Sequence, residues 1–341
     1  MNILIAILVI GILIAIHEAG HFWVARWTGM KVLRYSIGFL HPIIKWTSKK
    51  TGIVYQIGII PLGGFVQIKG MNPFEEDAYT DPGSYQTKAA WKRMAVILAG
   101  PAANFLLAWA MLFGLYSSGV PESVNESRVG QIVKGAPAEA AGLKLNDRVL
   151  EFNGVKISTW DELAGNLHEN PEKDVSLLIE RDGEQMTVKV TPMLKNGIGL
   201  IGIHQPTTDV RLPIHEAAHA ALAKCTSTVS LTVTSLAGWI SGKSRDVSPV
   251  GPVGIVKMAA STLDSGLAHF LAFVSYLSIM LFMFNMFPLP ALDGGRGVFL
   301  LYEVISRRRV NKKVDAAVNT VGFVLLLGMI MVITFKEIFF G

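Results

Sequence analysis

Residues 2–25 read NILIAILVIGILIAIHEAGHFWVA, and this stretch decides the fold. Ile3 to Ile16 is an unbroken apolar run, and with Phe22 to Ala25 it approaches the ~20 residues that cross a bilayer. The start, Met1-Asn-Ile-Leu4, carries no base, and the run leads into His17-Glu18 instead of a small-residue cleavage site. It therefore reads as a spanning helix over residues 2–25, not a signal peptide. Three other stretches share its character: Met94 to Ser118, interrupted by Gly100-Pro101; Leu267 to Phe287; and Ala317 to Phe335. Of the 341 residues, 51% are hydrophobic and 17% charged, whereas soluble domains average about 25% charged. Soluble-only and disordered chains are excluded. The sequence specifies a polytopic α-helical membrane protein with about four transmembrane helices.

The polar residues inside the first span carry the chemistry. His17-Glu18-Ala19-Gly20-His21 is an HExxH string, and on a helix positions four apart lie on one face, so both imidazoles reach one metal ion. Glu18 lies between them as a base toward water at that metal. A catalytic zinc site needs a third protein ligand and an open position. Asp293, in Asn285-Met-Phe-Pro-Leu-Pro-Ala-Leu-Asp-Gly294 just after the third span, is the ionisable group at membrane depth that fits. A lone Asp there costs roughly 2.5–3.5 kcal/mol on insertion scales. Two neutral His, Zn²⁺, Asp⁻ and Glu⁻ sum to zero, which makes the buried cluster tolerable. Pro288, Pro290 and Gly294-Gly295 break the helix, as befits backbone that lines a wet cavity. A second HExxH, His215-Glu216-Ala-Ala-His219, sits on an expected amphipathic helix starting near Leu212-Pro213, and there Glu and His among Ala read as a surface face. Thr226 to Ile240 is apolar but short and rich in Ser and Thr, so it reads as interfacial, not as a fifth span.

Basic residues set the expected orientation. Arg26, Lys31, Arg34, Lys45, Lys49, Lys50, Lys69, Lys88, Lys92 and Arg93 lie between the first two spans, and Arg296, Arg307, Arg308, Arg309, Lys312 and Lys313 between the last two. The positive-inside rule places both loops in the cytoplasm and both termini outside. Base-rich loops in so apolar a chain mark that orientation, and no nucleic-acid partner is expected. Residues 119–266 then lie outside, and within them Arg128 to Pro192 reads as a compact β-rich module. Asn153-Gly154 and Asp182-Gly183 are hairpin turn signals, and Thr159-Trp-Asp-Glu162 is a capping box that opens a helix. Gly135-Ala-Pro-Ala-Glu-Ala-Ala-Gly-Leu143, followed by Asn146-Asp147-Arg148-Val149, resembles the core of a PDZ domain, a fold that binds extended peptides by strand addition. The module is either such a peptide reader or a steric spacer. The expected boundaries are 1–118 for a first transmembrane half, 126–205 for the PDZ domain, 206–262 for an amphipathic helical linker and 263–341 for a second transmembrane half.

These features together resemble the bacterial site-2 protease family of intramembrane zinc metalloproteases, regulator of sigma-E protease type. The residues that carry the resemblance are HExxH at 17–21, Gly100-Pro-Ala-Ala-Asn104, one PDZ-like module, and NxxPxPxLDG at 285–294. It implies one catalytic Zn²⁺ held by His17, His21 and Asp293, with Glu18 as catalytic base. It also implies that Tyr55 to Gly70, within a loop at about 52–70, forms a β-hairpin that dips into the membrane. Such a loop would offer Gly63, Gly64, Phe65 and Val66 as an edge strand to an unwound substrate. Asn104 and Asn285 are expected to steady substrate or backbone, or to serve as helix-packing amides. The implied substrates are single-pass membrane proteins in the bilayer of the bacterial inner membrane, such as anti-sigma factors or signal-peptide remnants. The active site would lie toward the cytoplasmic side. The alternative is a membrane scaffold whose PDZ domain captures tails and whose metal site is non-catalytic; a scaffold has no use for Glu18.

Overall fold

The computed structural model describes residues 2–195, 197–242, 250–264 and 266–339; part of the expected helical linker, 243–249, lies outside them. The chain divides into a unit of Ser118–Leu212 and a unit formed by Met1–Ser117 with Pro213–Gly341.

The larger unit begins with α1 (Asn2–Trp27), one continuous helix that carries the HExxH residues in its last third. Two long strands follow, β1 (Val32–Thr47) and β2 (Val54–Ile68). Both strands bend, so they pair twice. Tyr35 lies opposite both Val66 and Tyr55, Ile37 opposite both Gly64 and Ile57, and Trp46 opposite Tyr55. The result is an antiparallel meander whose outer segment, residues 64–68, has no strand on its far side among the described residues. The sequence points to a hairpin only over 55–70, whereas the sheet reaches back to Val32. Helix α2 (Ala90–Ser118) then runs unbroken through Pro101. It lies so close to α1 that a Cβ on Gly20 would fall 2.7 Å from the Ala99 carbonyl carbon.

The smaller unit comprises β3 (Val120–Ser123), β4 (Gln131–Ile132), α3 (Pro137–Ala140), β5 (Arg148–Phe152), β6 (Val155–Lys156), α4 (Trp160–His168), β7 (Val175–Arg181), β8 (Glu184–Val190), β9 (Met193–Lys195), β10 (Ile198–Leu200), β11 (Ile203–His204) and β12 (Thr207–Val210). Its main sheet is ordered β6-β5-β7-β8. Asn153 and Asp182 adopt φ of 51° before Gly154 and Gly183 at 82° and 86°, the double left-handed geometry that a two-residue hairpin turn requires. Thr159 and Glu162 form the reciprocal capping box of α4, and the backbone amides of Ser158 and Thr159 hold the Glu162 carboxyl below its usual range. Val149, Leu163, Leu177 and Ile179 fill the core. Buried Asp147 takes two hydrogen bonds from Arg181, at 2.7 and 2.6 Å.

The chain returns through α5 (Ile214–Ile240) and α6 (Pro252–Asp264), then α7 (Leu267–Met286), α8 (Asp293–Ser306) and α9 (Lys312–Phe339). Among the described residues, four helices are long and apolar enough to cross a membrane: Leu4–Trp27, Ala90–Ser118, Leu267–Met286 and Lys312–Phe339. Helix α9 buries no residue against protein and leaves Leu325 and Val332 each 69% exposed. An apolar helix this bare needs lipid as its solvent.

One ion pair ties α2 to α8. Arg93, 4% exposed, donates to both carboxylate oxygens of Glu303, at 2.9 and 2.6 Å. These bonds hold the Glu303 carboxyl below its usual range. Arg93→Ala would leave the half-buried Glu303 carboxylate with only Arg309, 3.3 Å away, and is expected to cost about 1.5–3 kcal/mol, read as a lower thermal midpoint of the detergent-solubilised protein. A depressed folded-state value means that this stabilisation is complete above the ordinary glutamate value of about 4.3 and is lost as pH falls below it. Wild type should therefore lose midpoint on acidification through that window, and Arg93→Ala should lose less.

Candidate metal centre

His17 and His21 stack on one face of α1, and Asp293 reaches them from the first residue of α8. His17 Nε2 lies 3.0 Å from Asp293 Oδ2, His21 Nε2 lies 3.3 Å from it, and the two Nε2 atoms are 3.2 Å apart. Three lone-pair donors this close repel one another unless a proton or cation sits among them. Zinc bonds of 2.0–2.2 Å to nitrogen and oxygen in a tetrahedron put neighbouring ligand atoms about 3.3–3.4 Å apart, close to the observed triangle. The donor set fits zinc. Among the described residues, these three form the only group of His, Cys, Asp or Glu placed to share an ion.

The outer contacts orient the donors. His21 Nδ1 lies 2.7 Å from the Val96 carbonyl, so this nitrogen carries the proton and Nε2 presents its lone pair. Asn104 is fully buried, with its carboxamide nitrogen 3.4 Å from His17 Nδ1 and its Oδ1 without a hydrogen-bond partner among the described residues. A half-turn of that carboxamide preserves its shape and lets Oδ1 accept the Nδ1 proton, so both imidazoles can offer Nε2 inward. The Ser278 hydroxyl donates to the Asn104 carbonyl at 2.8 Å and fixes α7 beside it.

Gly100 makes room for this arrangement. A Cβ there would overlap His21 Nε2 and stand 2.8 Å from His17 Nε2. The turn between α7 and α8 is equally tight: Cβ atoms on Gly294 or Gly295 would overlap the Phe287 or Leu289 carbonyl. Pro288 and Pro290 thus end one helix, and Gly294-Gly295 let the next start with Asp293 aimed back at α1.

His17, Glu18, His21 and Asp293 line one cavity of about 740 Å³, with Gly64 to Ile68 along one wall and Asn285 along another. The Glu18 carboxylate is hydrogen-bonded by the Val66 backbone, and a Cβ on Gly64 would come within 3.1 Å of Glu18 Cγ. Phe65 and Val66 face this cavity, whereas Gly63 is buried at a bend with φ 144°. Asn285 donates to the Leu281 carbonyl at 2.9 Å. The second HExxH is apart from all of this, on the exposed face of α5, with the His215 and Glu216 side chains 83% and 54% exposed. Sequence reasoning missed the Arg93–Glu303 tie and the steric role of Gly100. An arginine within an apolar helix was the available signal for the first; a glycine one helical turn before a motif asparagine was the signal for the second.

A family model described as Peptidase family M50 matches residues 5–329. The chain is 34% identical over 343 residues to a Clostridium perfringens (strain 13 / Type A) protein that bears a zinc metalloprotease name, covering 100% of this chain and 99% of that one. It is 28% identical over 425 residues to the regulator of sigma-W protease RasP of Bacillus subtilis (strain 168), covering 99% and 98%. Among solved structures, the PDZ domain of an SdrC-like protein from Listeria monocytogenes is similar over 25% of this chain and 93% of that one, at 18% identity and a TM-score of 0.22.

Proposed function

Since the chain belongs to peptidase family M50, the site-2 proteases, and is thus an intramembrane metalloendopeptidase, we propose that it cuts the transmembrane segments of single-pass membrane proteins at the centre formed by His17, Glu18, His21 and Asp293. The observation that carries the assignment is the convergence of the three ligand atoms within 4.8 Å of one another, in the same cavity as Glu18 and a strand edge that no other strand covers among the described residues. His17, His21 and Asp293 would hold one zinc ion, which when bound supplies Lewis-acid activation of water and of the scissile carbonyl.

The protein's own groups do the rest. A transmembrane helix hides its carbonyls in its own hydrogen bonds, so the substrate unwinds and adds as a strand to the Gly63–Val66 edge. That edge holds the extended backbone beside Glu18. Glu18 takes a proton from the attacking water and delivers it to the departing amide nitrogen. Asn104 keeps His17 in the required tautomer, and Asn285, on the cavity wall, steadies the substrate backbone. Both termini and the PDZ-like module lie outside, the active site faces the cytoplasmic side, and the module reads a peptide end or screens bulky substrates. Anti-sigma factors and signal-peptide remnants match this substrate class.

The test is cleavage of a tagged single-span protein by the detergent-purified chain. A zinc chelator is expected to stop it, whereas Glu216→Gln is expected to cleave at the wild-type rate. Loss of activity in Glu216→Gln would move the catalytic centre to α5 and overturn the assignment.

A further inference from the structure

Asp293 is only as well placed as the turn that precedes it. In that turn Ala291 holds φ at 69°, a left-handed conformation that a residue other than glycine keeps only when its surroundings hold it there. Leu292 caps α8 without a side-chain hydrogen bond. The Ala291 amide instead donates to Asn319 Oδ1 on α9, at 3.1 Å. Asn319 Nδ2 in turn donates to Asp315, at 2.7 Å to Oδ1 and 2.9 Å to the backbone carbonyl. These partners fix which end of the carboxamide faces which way: the amide needs an acceptor and the carboxylate needs a donor. One turn further along α9, Gly322 lies flat against Pro290, where a Cβ would overlap the proline ring.

We propose that Asn319 is a positioning residue of the metal centre: by holding the strained Ala291 amide, it docks the turn on α9 and sets where the Asp293 carboxylate sits. The inference rests on the reading of Asp293 as a zinc ligand. It gives α9, which also accepts the Gly251, Val253 and Gly254 amides through Glu337, a part in the chemistry. Loss of an outer-shell partner typically costs about 10–100-fold in metal affinity.

The test is zinc affinity of the full-length protein in detergent, measured by competition with a chromophoric chelator, with zinc alone as ligand. Asn319→Leu, similar in size but unable to accept or donate, is expected to weaken zinc by ~10–100-fold. Asn319→Asp keeps the acceptor but sets a carboxylate against Asp315, and it should weaken zinc too. Combining Asn319→Asp with Asp315→Asn returns a donor to the side-chain contact between the two residues, although not to the backbone carbonyl of residue 315, and should recover part of the affinity that Asn319→Asp alone loses. Wild-type zinc affinity in Asn319→Leu would overturn the inference, as would an exchange that binds zinc no better than Asn319→Asp alone, since a role confined to helix packing is not rescued by swapping polarity. Asp293→Ala separates the two layers: if it too binds zinc like wild type, the ligand assignment itself falls.

Discussion

Gly100→Ala is expected to empty the metal centre and abolish cleavage. The change adds one methyl group to an uncharged position in a helix, and alanine is the better helix former, so local propensity predicts a gain. Geometry decides otherwise. The new Cβ would overlap His21 Nε2 and stand 2.6 Å from His21 Cε1 and 2.8 Å from His17 Nε2. Neither ring can retreat freely, because His21 is anchored to Val96 and His17 abuts the buried Asn104. Moving α2 away from α1 would relieve the clash only by opening the close packing of Gly20 on the Ala99 backbone. Loss of zinc affinity should exceed the ~10–100-fold typical of an outer-shell lesion, because the methyl group displaces the ligands themselves. Zinc per chain after dialysis, measured with thermal midpoint as a control for folding, checks this. A fully loaded, active Gly100→Ala would show that the two imidazoles do not converge as described.

Glu18→Gln separates binding from catalysis. The glutamine keeps the size of the side chain and can still meet the Val66 backbone, but it cannot take a proton from water. General acid–base groups contribute typically ~10²–10⁴-fold, and a variant lacking this one should lose at least that much cleavage rate while zinc content stays at the wild-type level. The contrast with Gly100→Ala matters. One variant is inactive because the metal is gone, the other although the metal remains. A Glu18→Gln protein that cleaves near the wild-type rate would assign the base elsewhere.

The chemical core was legible because its signals are local. HExxH places two imidazoles one turn apart, the Pro-x-Pro-x-x-Asp-Gly-Gly run announces a broken helix with a carboxylate, and Asn153-Gly154 and Asp182-Gly183 name their own turns. What stayed hidden depends on residues far apart in the chain. The β1 strand is masked by Gly38 and by His41-Pro42, which look like loop until both edges of the strand pair with β2. Lys92 and Arg93 pushed the expected start of the second span to Met94, yet α2 starts at Ala90. A guanidinium is tolerated there because Glu303, 210 residues later, neutralises it. The interruption at Gly100-Pro101 does not bend the chain out of its helix; it clears space beside the imidazoles. Asn319 sits in a polar opening to the last helix that looks like a helix start, and only the folded turn gives its carboxamide a task.

In the proposed mechanism this centre cuts the scissile bond within the apolar segment of a membrane protein. The most direct measurement is mass-spectrometric mapping of the new termini after the purified wild-type protein has acted on a tagged single-span substrate. The expected result is a cut inside the hydrophobic stretch, lost in Glu18→Gln and on zinc chelation. A cut confined to the polar flanks of the substrate, or one that persists without Glu18, would contradict it.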